Sequence, residues 1–433
     1  MKYGTAVIPF CAFFLIAGCE SGKGTDSQPE VDVLMSSLAR SAPTNVPPAD
    51  LAALVAGNNA FALNFYRHAA APGSNVFYSP YSISLALAMT WVGAKGETDI
   101  QIAQAMHFTL TREKLYPAFN LLDQTLESRG TSTDESDAGS LKLHIANALW
   151  GQKGYPFASE FLDVLAEYYG AGMNVLDFRT NADGCRTTIN QWISAKTENR
   201  INDLLPAGSV TAGTRLVLTN AIYFKGCWLD SFHRIDTRDT AFHLLDGSMV
   251  TSPLMFQHHR FNYTEGSDYQ AVELPYHGNK VSMVVLLPAS GDFGTFEARL
   301  SQALLDSIST DLTSRMVNMY LPKFGYTSGS ISLRQVLSGL GLPVAFSSQA
   351  DFTGMAATNE LSIGDVIHKA FVTVDEYGTE AAAATGVVMV GTSIDTSPPI
   401  EFRIDRPFIF IIRDIETNAV LFIGRIVNPL ASG

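Results

Sequence analysis

The residues with the most informative chemistry lie between positions 375 and 394. Four consecutive alanines, Ala381–Ala384, follow an acidic turn that contains a glycine, and no charged side chain occurs from Ala381 to Ile394. Such a stretch can be exposed as a loop, or can enter a β-sheet as a strand, because small side chains do not clash with neighbouring strands. The pattern indicates a segment that can change between these two states and use the change to do work.

The signatures of the common enzyme classes are absent from the sequence. It contains no Gly-x-Ser-x-Gly turn, no His-Glu-x-x-His helix, no Walker loop and no Gly-x-Gly-x-x-Gly motif. The adjacent histidines His258 and His259 form a poor metal site, because neighbouring side chains of a strand point to opposite faces. We therefore predict no catalytic residue, no metal site and no cofactor.

The charge balance argues against nucleic acid as a partner. The 433 residues include 42 acidic and 29 basic side chains, which gives a formal net charge of −13. Binding to a phosphate backbone requires concentrated positive charge, and the pair Arg112 and Lys114 is too small to supply it. With 46% hydrophobic residues, the chain can bury a large core.

The N-terminus has the features of an export signal. Lys2 precedes an apolar run over 6–17, and small residues come before Cys19. This ending resembles the bacterial lipobox, in which the cysteine thiol is diacylated and the preceding peptide is removed. A plain signal peptide and a short hydrophobic anchor are the alternatives. We predict a signal peptide over 1–18, a lipid on Cys19, and a protein held at the cell envelope, facing the periplasm or the exterior.

The remaining sequence reads as a tether followed by one domain. Residues 19–49 are rich in Ser, Gly, Pro, Thr and Asp, with a brief apolar interruption, and are predicted to be flexible. The folded domain is expected over 50–433, with Asp50 as the N-cap of its first helix. Cys185 and Cys227 could form a disulfide, but two unpaired, half-buried thiols are the preferred interpretation.

Helical patterns dominate the first half of the domain, and strand patterns the middle and end. We therefore predict an α+β fold rather than alternating βαβ units. Helices are expected at 82–94, 157–169, 185–199 and 330–341. Strands are expected at 216–224, 281–287, 316–321, 408–412 and 420–427.

From about Asp50 to Pro429 the chain resembles the serpins. Six segments occur in the order and spacing of that family, which makes the match specific. They are Asn75-Val-Phe-Tyr-Ser-Pro-Tyr-Ser-Ile-Ser, Thr219-Asn-Ala-Ile-Tyr-Phe-Lys-Gly-Cys-Trp, Leu321-Pro-Lys-Phe, Asp351-Phe-Thr-Gly-Met, His368-Lys-Ala-Phe-Val-Thr-Val-Asp-Glu-Tyr-Gly-Thr-Glu-Ala-Ala-Ala-Ala-Thr and Asp405-Arg-Pro-Phe-Ile-Phe-Ile-Ile-Arg-Asp. The resemblance implies a serpin fold with three β-sheets, eight or nine helices and an exposed reactive loop at about 378–400.

The resemblance also implies a function. A serpin is expected to be a monomer that inhibits a serine protease, or in some cases a cysteine protease, as a suicide substrate. The protease attacks the loop and forms an acyl-enzyme; the cleaved loop then inserts into the main sheet and carries the protease with it, a behaviour known for this family. The alternative is a non-inhibitory serpin-fold binding protein that is cleaved without forming a complex.

Three groups of residues take roles from the resemblance. The loop hinge consists of Glu376, Gly378, Thr379, Glu380, Ala381, Ala382, Ala383 and Ala384. A polar cluster beneath the sheet, the shutter cluster, consists of Ser79, Ser82, Asn220 and His368. Trp228 matches the aromatic residue at the breach, where insertion begins. Helix capping by the two serines and core packing of the tryptophan are the structural alternatives.

Strand alternation allows the loop to insert. One face of the inserted strand would be uncharged, and Glu380 would lie on the opposite, wetter face. The uncharged face consists of Thr379, Ala381, Ala383, Thr385, Val387 and Met389. A charge introduced at Thr379 would have to be desolvated at a cost of several kcal/mol, roughly, so Thr379→Arg is predicted to abolish inhibition.

The scissile bond is expected between Thr392 and Ser393, from the family spacing after Gly378. Counting back from Pro407 indicates Thr396 instead, and cleavage at Met389 or Val390 also stays open. None of these residues offers a cationic head to an acidic specificity pocket. Elastase-like or subtilisin-like targets are therefore favoured over trypsin-like ones, and chymotrypsin-like targets fit if Met389 is used.

Overall fold

The structure is a computed structural model. It describes residues 31–69, 73–130, 141–358, 360–379 and 398–432. Within these ranges there are nine α-helices and two short 3-10 helices. The α-helices are α1 Pro48–Ala69, α2 Pro80–Trp91, α3 Gly96–Ala105, α4 Arg112–Arg129, α5 Ser159–Tyr169, α6 Ala182–Lys196, α7 Phe293–Ala298, α8 Gln302–Asp311 and α9 Arg334–Gly339. The 3-10 helices are Arg234–Asp236 and Val344–Phe346.

Seventeen described strands form two extended sheets. The first contains β1 Asp32–Leu34, β3 Lys142–Gln152, β4 Met173–Leu176, β5 Leu216–Cys227, β11 Phe324–Thr327, β12 Ile331–Ser332, β13 Val366–Asp375 and β14 Gly378–Thr379. The second contains β2 Val76–Tyr78, β6 Arg238–His243, β7 Met249–Glu265, β8 Tyr269–Pro275, β9 Val281–Pro288, β10 Thr313–Pro322, β15 Ile400–Arg403, β16 Phe408–Asp414 and β17 Val420–Ile426.

The strand order places β5 and β13 at the centre of the first sheet. Its order is β1-β4-β3-β5-β14-β13-β11, with β12 also paired to β13. The second sheet has the order β15-β10-β7-β8-β9-β16-β17-β2, with β6 paired to β7. Three sheets were expected from the sequence. The strands β6, β7, β10 and β15 correspond to the smaller third sheet, and they are continuous with the rest of the second sheet because the 17-residue strand β7 also pairs with β8.

The first sheet separates two hydrophobic cores. Along β3, Ala146, Ala148 and Trp150 pack into the smaller core, which helix α6 covers. Leu149 faces the larger core on the other side, which the second sheet and most helices share. The alternation follows from the two-residue period of a strand, and it explains why β3 and β5 have few charged residues.

The predicted α+β class is confirmed. The elements expected from the sequence are present, with ends that differ by a few residues; the strand expected at 216–224, for example, is β5, Leu216–Cys227. The helix expected at 330–341 is shorter and consists of α9, Arg334–Gly339. The side chain of Ser79 accepts a hydrogen bond from the backbone N–H of Ser82 (3.2 Å) and thereby caps α2.

The structure corrects the predicted boundary between tether and domain. From Asp32 onward the chain is bound to the domain: β1 pairs with the edge strand β4, and the Arg40 guanidinium bonds the buried Asp123 carboxylate at 2.5 Å. The apolar interruption in the supposed tether therefore marks a strand, whose backbone groups complete the sheet edge. Asp50 is not an N-cap, since α1 begins at Pro48.

Candidate functional site

The start of the loop lies between two strands of the first sheet. After β13 the chain reverses at Glu376 and Tyr377 and enters β14, which pairs with β13 on one side and β5 on the other. Gly378 has a φ of +152°, and a Cβ at this position would lie 2.1 Å from the Gly226 carbonyl oxygen. Only glycine fits there, so the hinge glycine is required by a close backbone approach as well as by its φ angle.

Thr379 is already part of the sheet core. Its side chain is completely buried, and its hydroxyl lies 2.7 Å from the Tyr276 hydroxyl. Burial raises the pKa of Tyr276 well above its ordinary value, so the phenol stays neutral and can serve as donor or acceptor. Thr379 thus faces the core, as the strand alternation predicts, and the sheet already holds Gly378 and Thr379.

Trp228 lies directly beside the hinge. Its indole Nε1–H donates to the Asp375 carbonyl (3.0 Å), and its backbone N–H donates to the Tyr377 carbonyl (2.9 Å). The ring stacks on Tyr276 with 4.7 Å between centroids. Trp228 therefore holds both the strand that precedes β14 and the tyrosine that contacts Thr379, which gives it more than a space-filling position.

Glu376 anchors the turn between β13 and β14. Its carboxylate accepts a hydrogen bond from Lys323 Nζ (2.7 Å) and one from the Thr237 hydroxyl (2.9 Å). Burial would raise the pKa of Glu376, but the hydrogen bonds from Lys323, the backbone and Thr237 outweigh it and lower the pKa. The carboxylate is thus charged at neutral pH and fixes the turn electrostatically.

The four predicted members of the shutter cluster meet beneath the sheet. The Ser79 N–H donates to His368 Nε2 (3.3 Å), and Asn220 Nδ2 donates to the Ser82 hydroxyl (2.7 Å). A further short hydrogen bond joins His368 Nδ1 to Asn220 Oδ1. Residues from α2, β5 and β13 are therefore linked by one polar network in an otherwise apolar interior.

Asn147 completes this network and was not found from the sequence. Its Oδ1 accepts hydrogen bonds from Asn220 Nδ2 (2.6 Å) and the Ser82 hydroxyl (2.8 Å), and its Nδ2 donates to the Ser82 carbonyl (2.9 Å). No local signal distinguishes it from other strand residues, because its position depends on the register of β3 against β5. Lys323 lies in the recognised Leu-Pro-Lys-Phe segment, but its partner Glu376 could not be assigned from spacing.

The hydrogen bonds fix the tautomer of His368. Since Nε2 accepts from a backbone N–H, the ring proton lies on Nδ1 and is donated to Asn220. The imidazole is completely buried and has no charged side chain among its hydrogen-bond partners. Burial lowers the pKa of His368 from 6.5 to about 3, so the ring is neutral at physiological pH.

Protonation of His368 should destabilise the folded state. Because the pKa of His368 is about 3 when folded, and an unfolded histidine titrates near roughly 6.5, the unfolded chain binds the extra proton between these values. The free energy of unfolding should therefore fall as the pH falls through this window, by up to about 1.4 kcal/mol per pH unit. Denaturant titrations at several pH values measure the slope; His368→Gln should lack this contribution, and equal slopes in both proteins would contradict it.

Below β14 the two central strands pair directly. Val366–Phe371 of β13 lie parallel to Leu218–Tyr223 of β5. Across β14, Val374 and Gly226 are both paired with Thr379. Phe371 and Tyr223 each lie three residues before these positions, so the register between β5 and β13 is the same with and without a strand between them.

Several predicted residues lie outside the described ranges. They are the lipid site Cys19, the hinge residues Glu380, Ala381, Ala382, Ala383 and Ala384, and the scissile-bond residues Thr392 and Ser393. The roles of these residues stay predictions. For the described part of the chain, no helix is long and apolar enough to cross a bilayer.

No group of three or more potential metal ligands occurs among the described residues. His258 Nδ1 lies 2.7 Å from Asn318, whereas His259 Nε2 lies 3.1 Å from Asp230, so the two rings have different surroundings. Cys185 and Cys227 are both buried rather than half-buried and do not form a disulfide.

Comparison with protein families gives a match over most of the chain. The model described as "Serpin (serine protease inhibitor)" matches residues 56–429. A serpin-like protein of Thermococcus kodakarensis is 37% identical over 372 residues, which cover 86% of this chain and 84% of that protein. The leukocyte elastase inhibitor of Sus scrofa is 38% identical over 387 residues, which cover 87% of this chain and 99% of that protein.

The fold is also similar to solved structures. The native-state crystal structure of tengpin, a thermophilic serpin, has a TM-score of 0.80 and 26% sequence identity. The similarity covers 92% of this chain and all of the tengpin chain. The family match and the fold similarity both extend over most of the chain.

Proposed function

The chain belongs to the serpin family, and on this basis we propose that it traps serine proteases covalently by inserting its cleaved loop between β5 and β13. As a member of a family of protease inhibitors it is not an enzyme.

The common register of β5 and β13 is the observation that carries the mechanism. Since Gly378 and Thr379 already occupy the space between the strands at one end, continued insertion would require no sliding of one strand along the other. The strands would separate sideways by one strand spacing, roughly 4.8 Å. Each inserted residue would then pair with β5 on one side and β13 on the other, in place of the single direct pairing between these strands. Each added hydrogen bond would stabilise the inserted form by about 0.5–1.5 kcal/mol.

The same register predicts which neighbours each loop residue would meet. Glu380 would lie between Thr373 and Lys225, both half-buried, so its charge would have a basic neighbour and access to water. Thr385 would lie between His368 and Asn220, which are directly paired now. Insertion would therefore break the His368–Asn220 hydrogen bond, and the threonine hydroxyl could bond to both released groups.

The protease catalyses cleavage of the loop, and the inhibitor acts by inserting the cleaved loop before the acyl-enzyme is hydrolysed. The protease serine oxygen forms an ester with the loop carbonyl as the peptide C–N bond breaks, and a proton passes to the leaving amine. Water would normally hydrolyse this ester. The protease would be trapped if insertion displaces it before hydrolysis occurs. Small, uncharged residues from Ala381 to Ala384 are important because they can be buried without a desolvation cost that would slow insertion.

The proposed targets are elastase-like, subtilisin-like or chymotrypsin-like proteases. Thr392–Ser393 is the proposed bond, and its small residues suit a shallow apolar specificity pocket. The similarity to a relative named leukocyte elastase inhibitor supports the elastase-like class. A cysteine protease would be trapped as a thioester by the same insertion.

A gel experiment tests the proposal. The protein from residue 20 onward, mixed with an elastase, a subtilisin or a chymotrypsin, should give a band of the summed mass that survives heat and detergent. Mass spectrometry of the released C-terminal peptide would locate the bond, and cleaved protein should melt at a higher temperature than intact protein. Cleavage by all three proteases without such a band and without a rise in melting temperature would favour a non-inhibitory binding protein.

We further propose that a lipid on Cys19 anchors the inhibitor at a bacterial cell envelope, facing the periplasm or the exterior. The apolar run over 6–17, followed by small residues and a cysteine, supports this. Metabolic labelling with a fatty acid should mark the mature protein, and label that persists in Cys19→Ser would contradict attachment at this residue.

A further inference from the structure

We propose that the corner of the first sheet at which β1 enters, beside the start of β5, faces the membrane and that the loop-bearing end of the molecule points away from it. This N-terminal corner carries the exposed side chains of Val33, Leu34, Met35 and Leu38. The proposal rests on the lipid anchor proposed above, and it adds the orientation of the inhibitor and the surface that contacts the bilayer.

The register of β1 determines where the preceding residues leave the sheet. Asp32, the first residue of β1, pairs with Val175 in the second half of β4. The following residue of β4, Leu176, lies opposite Gln152 at the end of β3. This is the end of the sheet at which β5 begins, since Leu216 pairs with the residue next to Gln152. The chain toward Cys19 therefore departs from this end.

The reactive loop departs from the opposite end. Gly378 pairs with Cys227, the last residue of β5, whereas Leu216 is the first. A strand of this length spans roughly 36 Å. The connection to the anchor and the inhibitory loop are thus separated by the length of the central strand.

The N-terminal segment is held firmly against the body. The Arg40 guanidinium bonds the carboxylate of Asp123 (2.5 Å) and the side-chain oxygen of Asn120 (2.9 Å), both on α4. The Ser36 hydroxyl donates to Asp163 on α5 (2.5 Å). Because the segment is fixed, the connection to the anchor consists of only the twelve peptide links from Cys19 to Val31, which can extend no more than about 43 Å.

The fixed segment exposes apolar side chains at this point. Val33, Leu34, Met35 and Leu38 are 49%, 37%, 56% and 48% exposed, although all four lie within six residues of one another. Exposed apolar side chains so close to one another in the chain are unfavourable in water, and burying them in the lipid interface would add apolar contact to the attachment that the anchor provides. A lipid surface within reach of the same short connection is the partner that matches this chemistry, while the net charge of −13 gives no attraction to anionic headgroups.

Energy transfer to the bilayer tests the orientation. Lipidated full-length protein would carry a donor dye at Ala212→Cys, near the start of β5, or at Lys280→Cys, near its end; both positions are exposed. Vesicles of phosphatidylethanolamine and phosphatidylglycerol would contain a headgroup acceptor. Transfer from position 212 should exceed transfer from position 280 at least twofold, and equal or reversed efficiencies would overturn the proposal.

Removal of the apolar side chains tests the contact surface. The triple variant Leu34→Ser, Met35→Ser and Leu38→Ser should bring the ratio of the two efficiencies toward one. The matched control replaces three exposed apolar residues elsewhere, Ile235, Leu245 and Met249, with serine and should keep the ratio. If the ratio of the two transfer efficiencies stays unchanged in the first variant, these side chains do not contact the bilayer and the assignment of this surface is wrong. That result would also be obtained if the same side chains bound a second copy of the protein.

The outcomes separate this proposal from those on which it rests. Failure of the protein to sediment with vesicles would refute the lipid anchor and with it the orientation, while trapping in solution would be unaffected. Loss of the covalent complex in solution would refute the inhibitory mechanism and would leave the energy-transfer ratio as measured.

Discussion

Replacing Thr379 with arginine should convert the protein from an inhibitor into a substrate. The threonine side chain is fully buried between β5 and β13 and its hydroxyl contacts Tyr276 at 2.7 Å. A guanidinium at this position would have to be desolvated without a carboxylate partner, at a cost of several kcal/mol, roughly. Insertion would slow by orders of magnitude, and deacylation would release active protease. The number of inhibitor molecules consumed per protease trapped should rise at least tenfold.

The conservative variants distinguish charge from size. Thr379→Ser keeps the hydroxyl and should inhibit normally, while Thr379→Val loses only the hydrogen bond to Tyr276 and should lose little activity. Denaturing gels would show whether each variant forms the covalent complex or is merely cleaved. Unchanged inhibition by the arginine variant would refute insertion along this face of the strand.

Reversal of the charge at Glu376 should strongly destabilise the folded protein. The carboxylate side chain is only 4% exposed and lies 2.7 Å from Lys323 Nζ. In Glu376→Lys two ammonium groups would face each other, and the hydrogen bond from Thr237 would also be lost. We expect the free energy of unfolding to fall by about 3 kcal/mol, the lower end for a buried pair, because Lys323 is partly exposed.

The turn that Glu376 holds leads directly into β14, so the same change should release this strand. The free energy of local opening of β14 should fall by about the same 3 kcal/mol. Hydrogen exchange of the backbone N–H of Thr379 should therefore become faster by a factor of about 100 or more. The double variant Glu376→Lys with Lys323→Glu restores opposite charges and should recover much of the stability. Equal destabilisation of the single and double variants would show that the ion pair is not the cause.

Much of the site was predictable because the resemblance preserves residue types in order along the chain. The shutter cluster assigned from Ser79, Ser82, Asn220 and His368 comes together as one network. Asn147 was missed because it reaches the cluster through the pairing of β3 with β5, and strand pairing between distant segments leaves no local pattern.

The N-terminal segment shows a different limit of sequence reasoning. Its composition, rich in Ser, Pro and Thr, is typical of a linker. The short apolar stretch after Val31 forms β1 only because β4 offers an unpaired edge, and Arg40 is ordered only because Asp123 lies across from it. Three residues of strand are too few to be stable alone, so their structure depends on the rest of the fold.

The sequence by itself determined the family, the α+β class and the properties of the loop, because these depend on residue types and their spacing. It also determined that the face beginning at Thr379 is uncharged. Only the tertiary structure decided that Thr379 is already in the sheet. It also decided that β5 and β13 have the same register where they pair directly and where β14 lies between them. Register is set by hydrogen bonds between segments more than a hundred residues apart, which no local pattern along the chain encodes.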